Sequence, residues 1–96
     1  MDNRLYLIDL YDIYGELLTD KQKDYFEDYY FDNLTLQEIA ENNDISRNAV
    51  HKQIKEAEEK LNHFESVLNV YKKNKRIKEI CENLDEENKN KILDIL

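Results

Sequence analysis

Apolar residues recur three or four positions apart along most of this chain, with short polar breaks between, which is the spacing of one face of a helix. Leu7, Ile8, Tyr11 and Tyr14 make the first stripe and predict a helix from about Asn3 to Tyr14, with Gly15 as the residue just past its end. Thr19 and Gln22 form a capping box that opens a second helix, from about Asp20 to Phe31. On it Tyr25, Phe26, Tyr29 and Tyr30 make a broad aromatic face, expected in the core, with tyrosine hydroxyls that tolerate partial exposure.

Residues 35–55 carry the most specific pattern, that of a helix-turn-helix. Thr35 and Glu38 are a further capping box, and Ile39 with the small Ala40 allows a second helix to cross close by. Asn43 and Asp44 suit a tight turn with left-handed backbone. Ile45 is expected as an apolar plug, Ser46 as the next N-cap, and Val50 and Ile54 as the inward face of the second helix. From there Val50, Ile54, Ala57, Leu61, Phe64, Leu68 and Tyr71 continue a seam at alternating spacings of four and three. That seam predicts one helix from about Arg47 to Lys73, about 40 Å long at 1.5 Å per residue. The N-terminal bundle covers its first half. The rest requires the C-terminal segment, a second copy of the chain, or both, and homodimerisation through the seam residues Leu61, Phe64, Leu68 and Tyr71 and the C-terminal tail is the preferred account. Ile77, Ile80, Cys81 and Leu84 then suggest a short amphipathic helix. A last helix opens on Asp85, Glu86 and Glu87 and bears Ile92, Leu93, Ile95 and Leu96.

Composition supports an all-α protein. There is no proline and one glycine among 96 residues, and 38% are charged. No apolar run approaches the roughly 18 residues of a membrane span. A single cysteine, Cys81, excludes an internal disulfide and fits a reducing cytoplasm, where it is read as core filler. Charge is unevenly placed. Residues 1–45 hold 12 acidic and 3 basic side chains, and residues 46–96 hold 10 acidic and 11 basic, within a net charge of −8. An acidic N-terminal half repels phosphate.

Phosphate-loop glycines, paired cysteines, an H-E-x-x-H motif and a nucleophile elbow are all missing, so a non-enzyme without cofactor or metal is expected. His51 and His63 stand too far apart to share a metal. Binding chemistry concentrates opposite Val50 and Ile54, where Arg47, Asn48, His51, Lys52 and Lys55 share one helical stripe. Arg matches guanine and Asn adenine bidentately, and the lysines suit phosphate. Glu56, Glu58, Glu59 and Asn62 follow, so affinity and sequence discrimination are expected to be limited.

The run from Leu18 to Leu61 resembles region 4 of bacterial sigma factors. The resemblance is carried by L-T-x-x-Q, the pair Tyr29–Tyr30, L-x-E-I-A from Leu36 to Ala40, and I-S-R-x-A-V from Ile45 to Val50. With Tyr11-Asp12-x-Tyr14-Gly15-x-Leu17-Leu18 added, about residues 5 to 75 resemble the YlxM family, small helix-turn-helix proteins of low-GC Gram-positive bacteria. Asp44 stands where the sigma pattern has glycine, and Glu56, Glu58 and Glu59 stand where it is basic. The resemblance implies a sigma-region-4-like domain and an accessory role in the signal recognition particle pathway. Its partner is then the particle's GTPase or its small RNA.

The expectation is therefore an all-α, helix-turn-helix bundle of the sigma region 4 type, with a long fourth helix and a C-terminal helical extension. It forms a single domain over 1–96, with N-terminal helices in 1–34, the helix-turn-helix in 35–61 and an extension or dimerisation element in 62–96. The expected function is nucleic-acid binding or regulation, on DNA or a small structured RNA, by a cytoplasmic homodimer accessory to the signal recognition particle. The alternative is an adaptor for that particle's GTPase that keeps the helix-turn-helix only as a scaffold.

Overall fold

The computed structural model describes residues 3–96. Among them every regular element is helical: α1 Asn3–Tyr14, a 3-10 turn Gly15–Leu17, α2 Asp20–Tyr30, α3 Leu36–Asn43, α4 Arg47–Leu68, α5 Val70–Cys81 and α6 Glu86–Leu93. Both capping boxes form. Thr19 accepts from the Gln22 N–H while Gln22 accepts from the Thr19 N–H, and Thr35 and Glu38 do the same. Gln22 is buried and also ties α2 to α4, accepting from Lys60 Nζ at 3.0 Å.

α1, α2 and α3 pack around the first two-thirds of α4. Leu7, Leu10, Phe26, Ile39, Val50, Ala57 and Leu61 are essentially fully buried between them. Phe26 stacks on Tyr11 at 4.4 Å and on Tyr30 at 4.3 Å, which makes the aromatic face of α2 the centre of the core, as its pattern predicted. Arg4 fastens the C-terminal end of α2. Its guanidinium donates to the carbonyl of Tyr30 at 2.6 Å and to Asn33 Oδ1 at 2.8 Å, and lies 5.0 Å from the Tyr30 ring centroid. A cation there satisfies carbonyls left open at a helix end and suits the helix dipole.

Three local expectations are corrected. Gly15 is not a left-handed C′ residue, since no glycine has positive φ, and it opens the 3-10 turn instead. A Cβ on Gly15 would stand 3.0 Å from the Tyr11 ring, so close approach is what calls for glycine. Ile45 is not a buried plug, being 37% exposed; its N–H closes the end of α3 by donating to the Ala40 carbonyl at 3.0 Å. The predicted helix from Arg47 to Lys73 is broken at Asn69, whose φ of 55° and ψ of 26° are left-handed.

The cause of that break is a buried carboxylate. Glu65 accepts the N–H groups of Tyr71 at 3.0 Å and Lys72 at 3.1 Å, and the Tyr14 hydroxyl at 2.6 Å. The same hydroxyl accepts the Val70 N–H at 3.0 Å. Glu65 and Tyr14 thus supply the acceptors that a continuous α4 would have provided, and a new helix starts. The seam changes role accordingly. Val50, Ile54, Ala57 and Leu61 lie inside the bundle, Phe64 and Tyr71 are half-buried against it, and Leu68 is exposed. Tyr71 meets Tyr6 of α1 edge-on at 5.3 Å. Beyond it α5 and α6 form an arm in which Cys81 is the one buried residue among those described. The overall extents are 54 × 25 × 25 Å and the radius of gyration is 16.7 Å. A compact chain of this length would have a radius of gyration of about 12.5 Å.

Candidate nucleic-acid interface

The turn that presents α4 has the geometry its residues suggested. Asp44 sits at φ 55° and ψ 46°, its N–H directed at the Ala40 and Glu41 carbonyls. With Ile45 bonding Ala40 this is a Schellman-type ending, built on Asp where glycine is commoner. Ser46 then caps α4, its hydroxyl accepting from the Ala49 N–H at 3.1 Å. Val50 and Ile54, at 0% and 4% exposure, hold the opposite face in the core.

With that face anchored, Arg47, Asn48, His51, Lys52 and Lys55 all emerge exposed. No carboxylate of the described residues lies within ion-pair distance of Arg47, His51, Lys52 or Lys55. The structure therefore brings together the five residues that the sequence assigned to one stripe and leaves their donors available. Beside them is a hollow of about 230 Å³ lined by Tyr29, Leu36, His51, Ile54, Lys55 and Glu58.

The acidic turn that follows borders this face, with Glu58 lining the same hollow as His51 and Lys55. Glu58 is half-buried and accepts the hydroxyl of Tyr30, Glu56 is half-buried as well, and Glu59 is exposed. Burial, and then the hydrogen bond to the Glu58 carboxylate, hold the Tyr30 phenol well above its ordinary value. Tyr11, bonded to Glu27, is raised for the same reasons.

The family profile described as "Putative helix-turn-helix protein, YlxM / p13 like" (UPF0122) matches residues 1–95. The chain belongs to the UPF0122 family. It is 48% identical over 80 residues to a UPF0122 protein of Malacoplasma penetrans, covering 82% of this chain and 74% of that one. A UPF0122 protein of Clostridium kluyveri is 43% identical over the whole of this chain and 79% of its own length. One from Fusobacterium nucleatum is 36% identical over all of this chain and 97% of its own. The family resemblance read from the sequence is therefore correct, and the helix-turn-helix it implied is present in the UPF0122 fold described here.

Arg4 fixes the end of α2, and Glu65 with Tyr14 fixes the start of α5. Sequence pattern placed Tyr14 only on an apolar stripe and did not single out Arg4 or Glu65. Arg4 and Tyr14 act on segments far along the chain, and Glu65 acts just past the end of its own helix together with Tyr14, so no helical spacing records these interactions. No group of described His, Cys, Asp or Glu residues is placed to hold a metal ion, and no helix among the described residues is long and apolar enough to cross a membrane.

Proposed function

We propose that this UPF0122 chain is a nucleic-acid-binding or regulatory protein accessory to the signal recognition particle pathway, and that it contacts nucleic acid through Arg47, Asn48, His51, Lys52 and Lys55. The observation that carries this reading is the exposed, unpaired stripe on a helix whose opposite face and N-cap are both fixed. Arg47 and Asn48, at the N-terminal end of α4, are placed as base-reading groups, and Lys52 and Lys55 as phosphate contacts. A homodimer is part of the proposal. Leu61 is used up in its own bundle, so the pairing surface would draw on Leu68 and the exposed Val67, flanked by Phe64 and Tyr71.

A second reading is favoured by the −9 N-terminal half, whose Asp9, Asp12, Asp20, Asp24 and Glu27 are all exposed. There the acidic surface docks a basic protein such as the particle's GTPase, with electrostatics assisting the encounter.

One titration separates these readings. Anisotropy of labelled random duplex DNA and of the particle's small RNA is followed across a salt series, with sedimentation velocity at the same concentrations. The expected result is salt-sensitive binding that disappears in the Lys52→Glu, Lys55→Glu double variant, by a species of twice the chain mass. Absence of binding at low salt removes the nucleic-acid reading and leaves protein docking. A monomeric complex removes the dimer alone.

A further inference from the structure

The densest positive charge of this molecule lies outside the helix-turn-helix. α5 carries Lys72, Lys73, Lys75, Arg76 and Lys78 against the single carboxylate of Glu79, and all five cations are exposed. The α4 stripe spreads Arg47, Lys52 and Lys55 over a longer stretch.

The α5 cations fall into two groups. Lys75 and Lys78 border a hollow of about 360 Å³ whose other wall includes Asp9 and Asp12 of α1, so part of their field is offset. Lys72, Lys73 and Arg76 lie within about 100° of the helix circumference at 3.6 residues per turn, away from that wall. No described carboxylate is within ion-pair distance of Lys72 or Lys73. Arg76 has Glu79 at 3.9 Å, but both side chains are more than half exposed, and such pairs contribute little.

A solvated lysine run needs no fixed direction, whereas α5 has one. The buried Glu65 and Tyr14 grip its first N–H groups, and Tyr71 packs on Tyr6, so the cationic face is presented at a set angle to the bundle.

We propose that the outer face of α5, carried by Lys72, Lys73 and Arg76, is a second phosphate-contacting surface for the same polynucleotide that α4 contacts. This rests on the nucleic-acid reading above and adds a backbone grip outside the helix-turn-helix. From Lys52 to the end of α4 at Leu68 the axis rises about 24 Å at 1.5 Å per residue, about seven steps of a B-form strand. Glu56, Glu58 and Glu59 occupy that interval. Phosphate contact therefore comes at two separated places. α4 supplies groups suited to base edges, and α5 supplies sequence-independent attraction.

The full-length chain is titrated into a labelled 20-base-pair random duplex across a salt series. The native protein is compared with Lys72→Gln, Lys73→Gln, Arg76→Gln, and separately with Lys52→Glu, Lys55→Glu. Circular dichroism melting confirms equal folding. The α5 triple variant is expected to weaken binding and to make the slope of log K against log salt shallower by about 2 to 3, at about 0.9 for each phosphate no longer neutralised. Lys72→Arg with Lys73→Arg is expected to keep the native slope. An unchanged slope in the triple variant, with native binding intact, overturns the α5 surface and leaves the α4 reading standing. Weakening in the α5 variant with none in the α4 variant does the reverse. A native protein that binds neither this duplex nor a labelled structured RNA at low salt overturns both.

Discussion

The bundle of α1 to α4 and the arm of α5 and α6 are built from similar residues and held by different physics. In the bundle, hydrophobic burial dominates, with stacked aromatics at Phe26 and a buried stripe from Val50 to Leu61. In the arm, α6 has no fully buried residue and α5 only Cys81, with Ile92 and Leu93 half-buried, while Ile80, Leu84, Ile95 and Leu96 remain exposed. What positions the arm is a hydrogen-bonded cap centred on one buried carboxylate, together with Val70 and Tyr71 packed against the core. Periodicity alone therefore does not say whether a helix is anchored. α5 has apolar residues at helical spacing, yet only its first turn is anchored, by Glu65, Tyr14 and the packing of Tyr71 on Tyr6.

The largest expected difference between the two regions is in truncation of an apolar side chain. Leu61→Ala should cost about 2–5 kcal/mol, because it opens a cavity in a closed core. Ile92→Ala in α6 should cost under about 1 kcal/mol, because little buried area is removed there. Chemical denaturation of both variants measures this, and equal destabilisation would show that the arm is buried in solution, as dimerisation through it would require.

A smaller and more local effect is expected at Glu65. Replacing it with Gln keeps the shape but removes an acceptor, so one of the Tyr71 and Lys72 N–H groups is left unpaired at about 1–3 kcal/mol. Hydrogen exchange should quicken at residues 70–72 while Phe26 and Val50 stay protected. If protection falls across the whole molecule instead, arm and bundle unfold as one unit.

The mildest expected effect near neutrality is that of pH. Tyr11, Tyr14 and Tyr30 have raised values in the folded bundle, in each case chiefly by burial and then by a bonded carboxylate. Their contribution is fully present below the ordinary tyrosine value of 10.0 and is lost as pH rises beyond it. Stability should be insensitive to these groups from pH 7 to 9 and decline above about 10. Tyr11→Phe and Tyr30→Phe should each soften that decline, and an undiminished decline in both would place its origin elsewhere.

Much of the bundle was legible from sequence because its signals are local. Two capping boxes, the Asp44 turn, the Ser46 cap and the spacing from Val50 to Leu61 each operate within a few residues. The exposed stripe on α4 followed from the same periodicity. The break at Asn69 was hidden because the four-three spacing runs unbroken through it to Tyr71. Its cause is a side chain one turn upstream acting together with a hydroxyl from α1. Arg4 at the end of α2 is illegible for the same reason. Ile45 departs from its pattern because an apolar residue after a turn suggests burial, while here it is the backbone N–H of Ile45 that closes α3.

The junction at Asn69 also has a mechanical consequence. A 12-residue α5 extends about 18 Å from it. Rotation there by about 10° would sweep the far end of α5 through about 3 Å, by the geometry of a rod of that length. The hydrogen bonds of Glu65 and Tyr14 sit close to the fulcrum, so a displacement of a few tenths of an ångström among them would be magnified severalfold at the far end. The elbow is thus a lever, with its short end buried and the exposed cations of α5 carried along its long arm.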